Sequence, residues 1–200
     1  MPAQFTPLAI AALALLAERP MHPYEMYQLL ITRAEDRIVK VRPGSLYHTV
    51  DRLTRQGFVE PVGTDREGNR PERTTYRITE AGQLGLSERV AEIIATPVNE
   101  YPEFPLGIGQ AHNLSKEIFV KLLGRRRLHL VSELETLRTG HTHVSQKAIP
   151  AKYWLDITYQ QAIVTAEIAW LDGVVTDLQS GELDWAPEHE QKVFPHDNSK

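Results

Sequence analysis

The sequence predicts a mainly α-helical fold with one small β-hairpin, made of an N-terminal region of short helices and a C-terminal region of long helices. The run from Leu8 to Ala17 is apolar at every position, as in a helix that is covered on several sides. A segment rich in turn-forming residues, 63–73, separates two short β-type runs. Between Trp154 and Leu178, mostly apolar residues recur at alternating steps of three and four, which is typical of packing between helices.

The composition narrows the class of protein. Hydrophobic residues make up 42% of the 200 residues and charged residues 24%, so we expect a buried core rather than disorder. The absence of cysteine excludes disulfides, thiolate metal sites and a cysteine nucleophile. No Lys or Arg precedes Leu8, and its apolar run has about half of the roughly 20 residues of a membrane-spanning helix, so we expect a cytoplasmic protein.

The net charge of −4 is unevenly distributed. Lys plus Arg equals Asp plus Glu over residues 1–95, with 12 of each, whereas residues 96–200 contain 10 basic and 14 acidic side chains. Within the first half, residues 37–58 contain five basic side chains and only one acidic side chain, Asp51. This local positive excess is typical of a phosphate-binding surface, and it is equally compatible with a solvated face.

Residues 1–95 predict the element order of a winged helix-turn-helix DNA-binding domain. Pro23 and Pro43 suit the first position of a helix, Gly57 suits a helix end, and Thr79 suits an N-cap. The predicted elements are helices at 8–17, 23–34, 43–56 and 80–95 and strands at 58–62 and 74–78. In the second of these helices, we expect four residues at helical spacing to face inward: Tyr24, Tyr27, Leu30 and Ile31.

The third predicted helix is amphipathic. Leu46, Val50 and Leu53 form one stripe when residues are placed 100° apart. The opposite side carries Gly44, His48, Asp51, Arg52 and Arg55. We therefore expect one face to pack on a core and the other, mainly cationic face to meet solvent or a ligand.

Residues 96–113 predict an ordered connector without regular secondary structure, because three prolines and two glycines interrupt them. A helical dimerisation domain at 114–183 follows, with helices at 114–138 and 151–181, and then a flexible tail at 184–200. The second long helix has an apolar seam and a separate stripe of small residues at Ala162, Ala166, Ala169 and Gly173. Two packing faces require two partners, which we expect to be the first long helix and a second copy of the chain. The predicted dimerisation residues are Leu123, Leu130, Leu134, Trp154, Ile157, Val164, Ile168, Leu171 and Val175.

Three separated motifs over Leu8 to about Ala95 resemble the PadR family of bacterial transcriptional regulators. They are Leu13–Glu25, Pro43–Tyr47 followed by Gly57-Phe58-Val59, and Tyr76–Gly82. Pro23 stands where that family usually has glycine, and His48 where it commonly has proline or arginine. The resemblance implies a DNA-binding repressor, often controlled by a small molecule, whose third helix enters the major groove and whose C-terminal helices mediate dimerisation.

The resemblance and the outward face of the third helix together identify candidate DNA contacts. The candidates are Arg42, Ser45, Tyr47, His48, Arg52, Arg55, Arg70 and Arg73. Arg70 and Arg73 belong to the predicted wing, where phosphate contact is expected. The alternatives are solvated charges for the arginines and, for Tyr47, burial against the second helix.

Other kinds of site have weaker support in the sequence. An aromatic set could line a pocket for a small aromatic effector or could be plain core: Tyr101, Phe104, Trp154 and Trp170. His141 and His143 lack a third ligand nearby in sequence, so neither a metal nor a cofactor is assigned. Hydrolase and phosphate-loop motifs are absent, which argues against an enzyme. The alternatives are a winged-helix module for protein contacts without DNA binding and, less well supported, an enzyme with an unrecognised site.

Overall fold

The computed structural model describes residues 5–65 and 73–185, and within them it confirms the mainly α-helical class with one β-hairpin. The chain divides into two compact units, Met1–Glu100 and Tyr101–Lys200. The helices are α1 (Pro7–Glu18), α2 (Pro23–Thr32), α3 (Pro43–Arg55), α4 (Glu80–Ala95), α5 (Glu103–Gly109), α6 (Lys116–Gln146) and α7 (Leu155–Ser180), and the strands are β1 (Val59–Asp65) and β2 (Arg73–Ile78). Within the described ranges, no helix is long and apolar enough to cross a membrane.

Helix α1 lies at the centre of the first unit. It packs against α2, α3, α4 and β2, which explains why its sequence is apolar on all sides. The side chain of Thr6 caps the helix, since its Oγ1 accepts a hydrogen bond from the Ala9 N–H at 3.3 Å. The expectation of a helix that is covered on several sides is confirmed.

Helices α2 and α3 begin at Pro23 and Pro43, as predicted. Gly57 has a φ of 78° directly after α3, a conformation that favours glycine and ends the helix. The prediction that Tyr24 and Ile31 face inward is wrong, since both are exposed. The fully buried residues of α2 are Pro23, Met26 and Leu30, and Tyr27 and Leu29 are half-buried against the same core.

Strands β1 and β2 pair in antiparallel register, with Val59 opposite Ile78 and an irregularity between Pro61 and Gly63. The predicted wing therefore forms, with β1 extending three residues beyond its predicted end. Thr79 caps α4 as expected, because its Oγ1 accepts from the Gly82 N–H at 3.1 Å. A Cβ at Gly82 would lie 2.1 Å from the Phe58 carbonyl oxygen, so this close approach of α4 to the strand requires glycine.

The second unit is built on an antiparallel pair of long helices, α6 and α7. Two ion pairs cross between them, Arg126–Glu167 and Arg127–Asp172, both at 2.5 Å. Helix α6 extends eight residues beyond its predicted end at 138, since Gly140 is tolerated inside it and the His141 ring packs on Trp154 with centroids 4.7 Å apart. The turn between the two long helices is correspondingly short.

The expectation that residues 96–113 lack regular structure is wrong, because they contain α5. Pro102 occupies its N-cap and Pro105 falls in its first turn, where the missing N–H has no helical partner to lose. Phe104 and Ile108 pack α5 against the core of the second unit. The start of the predicted tail also packs there, since Trp185 stacks on Phe119 with centroids 4.4 Å apart, and residues 186–200 lie outside the described residues.

Candidate nucleic-acid interface

Helix α3 presents two sharply different faces. Leu46, Val50 and Leu53 are fully buried and hold the helix against the core of the first unit. On the opposite side, Gly44, His48, Asp51 and Arg55 are exposed. The buried face therefore anchors α3 to the core. The opposite face presents small, polar and charged groups that are available to contact a partner molecule.

Asp51 and Arg55 form an ion pair one helical turn apart on the outward face. The Arg55 Nη2 lies 3.2 Å from an Asp51 carboxylate oxygen, and the two side chains are 72% and 68% exposed. The carboxylate contacts one edge of the guanidinium, and an arginine has five N–H donors. Most of the donors of Arg55 therefore remain available to a ligand.

Arg52 differs from Arg55 although the sequence places both on the outer side of the helix. It is less exposed and lies toward the flank of α3. Its Nη2 donates to the Thr6 Oγ1 at 3.2 Å, the same oxygen that caps α1. Arg52 therefore connects α3 to the N-terminus of α1, a contact that spans 46 residues of sequence.

The other predicted contacts of α3 lie near its N-terminus. Arg42 and Ser45 are exposed. Tyr47 is partly exposed at the edge of the helix, where its ring meets His22 in a T-shaped contact with centroids 6.0 Å apart. Arg70 lies outside the described residues, so the structure places only Arg73 of the two predicted wing arginines.

Arg73 comes close to the N-terminus of α2, where it borders an open groove with His22, Tyr24 and Gln28. The His22 Nδ1 accepts from the Tyr24 N–H at 3.0 Å and so caps α2. Partial burial, followed by the positive charge of Arg73, lowers the pKa of His22, while Glu25 opposes this shift. Gln28 donates to the Tyr24 Oη at 2.8 Å, which leaves the hydroxyl proton of Tyr24 free to point outward.

This groove contains polar groups that the sequence-based prediction missed. Tyr24 was assigned to the core on its helical spacing, and His22 was not assigned a role. The available signal was positional, because the first helix of a helix-turn-helix pair crosses the nucleic-acid backbone. Polar residues at the start of α2 were therefore candidates on topology alone.

Two ion pairs brace α1 against α2 beside this surface. Arg33 Nη1 contacts a Glu18 carboxylate oxygen at 2.5 Å, and Arg19 pairs with Glu25. The hydrogen bond from Arg33 lowers the pKa of the Glu18 carboxyl, and the hydrogen bond from Arg19 does the same for Glu25. These two arginines are therefore occupied by partners within the unit.

The predicted dimerisation residues lie in the contact between α6 and α7 of a single chain. Five of them are buried there, namely Leu123, Leu130, Leu134, Val164 and Leu171. The remaining four, Trp154, Ile157, Ile168 and Val175, are half-buried on the same seam of α7. The seam therefore serves packing within the chain, and the prediction that these residues also join two copies stays a prediction. A second copy could instead use an exposed apolar face.

Such a face exists on the outer side of α7. The α7 outer stripe, as we call it, consists of exposed apolar residues at Leu155, Tyr159, Ala162, Ile163, Ala166, Ala169, Trp170 and Gly173. It runs opposite Val164 and Leu171, and no charged side chain interrupts it between its first and last residues. The small residues that the sequence singled out belong to this stripe.

The four aromatic residues predicted for an effector pocket do not converge. Phe104 and Trp170 meet edge to face with centroids 6.1 Å apart, and the Arg126 guanidinium lies 3.5 Å above the Phe104 ring. Trp154 is the N-cap of α7, 16 residues before Trp170, a separation of about 24 Å at 1.5 Å per residue. Tyr101 is 83% exposed. The prediction of a single pocket is corrected to a smaller cluster of Phe104, Arg126 and Trp170.

The histidine pair lies on α6 rather than in a loop. His141 and His143 are two residues apart on a helix and therefore point to different sides. Within residues 5–65 and 73–185, no group of three or more His, Asp or Glu side chains could hold a metal ion.

The first unit has the architecture of a winged helix-turn-helix domain, with α2 and α3 as the helix pair and the β1–β2 hairpin as the wing. Residues 12–88 match the profile of the Transcriptional regulator PadR-like family. The family resemblance drawn from the sequence is thereby confirmed. No curated protein sequence matches the chain.

Solved structures of PadR-like regulators share the fold over most of the chain. Bacillus subtilis PadR in complex with operator DNA superimposes with a TM-score of 0.73 at 19% identity and covers 88% of this chain and 99% of its own. The same Bacillus protein in complex with p-coumaric acid gives a TM-score of 0.70 at 18% identity, covering 86% and 98%. The Vibrio cholerae virulence activator AphA gives 0.66 at 20% identity, covering 87% and 99%.

Proposed function

We propose that this protein is a sequence-specific DNA-binding transcriptional regulator that inserts α3 into the major groove. The outward face of α3 carries the proposal, because its exposed polar residues stand on a helix whose inner side is fully buried in a PadR-like domain. Side chains on such a face reach base edges, while contacts to phosphates set the orientation of the domain. Operator DNA bound to a structural neighbour supports the same partner.

The wing and the start of α2 contact the DNA backbone in this proposal. Arg73 supplies positive charge beside Tyr24, whose hydroxyl proton is free to donate outward. Both groups suit phosphate oxygens, which accept hydrogen bonds from arginine and tyrosine side chains. Arg42 and Ser45 at the start of α3 extend this contact, since the N-terminus of a helix favours anions.

The protein acts as a homodimer that pairs through the α7 outer stripe. Large exposed apolar surfaces are rare on monomeric proteins, and this stripe covers about five turns of α7 without a charge. Its alanines and glycine allow a second helix to approach closely, and Tyr159 and Ile163 supply apolar area beside them. A second copy presents an identical stripe, which satisfies the self-complementarity of a two-fold interface.

A two-fold dimer recognises a palindromic operator whose half-sites are separated by about one helical turn or a multiple of it. Repression follows when the bound dimer blocks access to a promoter that overlaps this site. The alternative to repression is activation from a site beside the promoter. The alternative to DNA binding is a winged-helix module that contacts protein.

A small aromatic carboxylate is the proposed effector class. Arg126 offers a cation next to the rings of Phe104 and Trp170, and its present carboxylate partner is Glu167. An aromatic acid would compete with Glu167 for the guanidinium and stack against the rings. Binding of p-coumaric acid to a structural neighbour motivates this acid as the first probe. Calorimetric titration should detect binding to the wild type and a clear loss of affinity in Arg126→Ala.

Selection of binding sites from random duplex DNA by the purified protein tests the main proposal. Enrichment of a palindromic motif would support the DNA-binding dimer, and the spacing of the half-sites would report its symmetry. Fluorescence anisotropy on the selected duplex and on a single half-site should show much tighter binding to the full site. Failure to enrich any motif would favour the protein-contact alternative.

A further inference from the structure

The ion pair between Asp51 and Arg55 has no evident role in the stability of the fold. Both side chains are about 70% exposed and belong to adjacent turns of one helix. Exposed pairs of this type contribute only about 0.3–0.5 kcal/mol to a helix. The pair nevertheless occupies the outermost line of α3, opposite Leu46, Val50 and Leu53.

A carboxylate on a DNA-facing surface is informative because phosphates repel it. Asp51 would weaken binding to every sequence alike unless a hydrogen-bond donor on the DNA faced it. In the major groove, the exposed amino groups that can serve are N4 of cytosine and N6 of adenine, and carboxylates pair with the cytosine amino group. Asp51 therefore favours sequences that place such a donor opposite it.

The two arginines at this end of α3 differ in their freedom to read a base. Arg52 is directed toward Thr6 at the N-terminus of α1. Within residues 5–65 and 73–185, Arg55 pairs with Asp51, which approaches one Nη atom of the guanidinium. A guanidinium held in this way can donate two hydrogen bonds to O6 and N7 of guanine, the commonest specific contact of arginine in the major groove.

We propose that Asp51 and Arg55 act as a base-reading pair, in which Arg55 contacts guanine and Asp51 accepts a hydrogen bond from the N4 amino group of a cytosine in the neighbouring base pair. The inference rests on the proposed function, since it assumes that α3 enters the major groove. Side chains one helical turn apart are separated by about 5–6 Å at Cβ. Adjacent base pairs are about 3.4 Å apart, a distance that these two long-reaching groups can match. Each half-site should therefore contain two adjacent G·C base pairs.

Binding-site selection with four proteins tests this inference: wild type, Asp51→Ala, Arg55→Lys and the control Glu88→Ala. Glu88 is exposed on α4, so the control removes the same charge from the same unit without changing α3. The wild type and the control should select the same half-site. Asp51→Ala should lose the preference for cytosine at one position, and discrimination there, measured by anisotropy, should fall by about 5- to 150-fold.

The remaining readouts separate base reading from simpler roles. Asp51→Ala should bind mismatched DNA more tightly than the wild type does, because a repulsive charge has been removed. Arg55→Lys should relax the preference for guanine while the salt dependence stays unchanged, since lysine retains the charge but cannot form the bidentate contact. Far-ultraviolet circular dichroism and thermal melting should show that both variants fold, as expected for exposed positions.

Three results would overturn the inference. An unchanged base preference in Asp51→Ala would exclude a reading role for that carboxylate. An unchanged preference for guanine in Arg55→Lys would assign Arg55 to a phosphate instead, because lysine keeps the charge but not the bidentate contact. If the wild type selected a motif in which no two G·C base pairs are adjacent, the reading pair would fail while the proposed function remained. If the wild type selected no DNA, the proposed function itself would fail.

Discussion

The neighbouring residues Ile163 and Val164 provide a direct test of which face of α7 joins two copies of the chain. Ile163 is 51% exposed on the α7 outer stripe, whereas Val164 is 6% exposed against α6. We expect Ile163→Glu to dissociate the dimer and leave each unit folded. Val164→Glu should instead unfold the second unit, because an unpaired charge in a helix–helix core costs several kcal/mol.

The size of the effect on dimerisation follows from the exposed fraction of Ile163. Complete burial of an isoleucine side chain contributes about 1.5–3 kcal/mol, and about half of that remains to be gained at the interface. Two copies meet in a symmetric dimer, so the loss is about 1.5–3 kcal/mol. This corresponds to a dissociation constant raised by about 10- to 150-fold, before the added cost of burying the glutamate.

Sedimentation velocity over a concentration series measures this shift, and thermal melting of the same samples reports folding. Ile163→Glu should sediment as a monomer at micromolar concentration. Its thermal melt should show the cooperative unfolding of a folded monomer. Val164→Glu should melt at a markedly lower temperature. A wild-type monomer at micromolar concentration, or an Ile163→Glu variant that dimerises as tightly as the wild type, would refute the assignment of this face.

Three further predictions concern the first unit. Gly82→Ala should lower the free energy of unfolding by at least about 1–3 kcal/mol in urea titrations, because its Cβ would lie 2.1 Å from the Phe58 carbonyl oxygen and the helix must shift. An unchanged urea midpoint would contradict the close approach of α4 to Phe58. The pKa of His22 is lowered in the folded state, so the unfolded state binds the proton more readily. The free energy of unfolding should therefore decline as pH falls through about 6.5. The variant His22→Asn keeps a capping side chain and should reduce this pH dependence. Arg73→Ala should weaken binding to matched and mismatched duplexes equally and lower the salt slope by about one unit per phosphate contact, or about two in a dimer; a change in base preference would instead assign Arg73 to base reading.

The elements that the sequence predicted well are those whose signals are local. The apolar run of α1, the proline that begins α3 and the glycine that ends it depend on side chains and φ angles within a few residues. The apolar seam of α7 was also read correctly as a packing face. The first long helix, α6, was correctly expected as one of its two partners. Which face of α7 each partner covers was not predicted, because a periodic pattern states that a face is buried and does not state which surface covers it.

The details of the candidate interface depended on contacts between distant residues. Arg52 and Arg55 carry the same charge on neighbouring positions, yet Arg52 meets Thr6 across 46 residues of sequence. Helical spacing placed Tyr24 in the core, whereas the face of α2 that packs on the core leaves Tyr24 exposed. Neither the reach of a flanking arginine nor the width of a packing face is encoded in periodicity alone.

The charge distribution of the chain makes dimerisation a condition for tight binding to DNA in the proposed function. With a net charge of −4 and balanced charges over residues 1–95, long-range attraction to DNA is weak, so affinity must arise from contacts at the interface itself. A single α3 offers few such contacts, because Arg52 is directed to Thr6. Pairing through α7 doubles the set and makes the second half-site contact intramolecular, which raises its effective concentration to about the millimolar range. An effector that loosened the α7 pairing would therefore release the operator without altering α3.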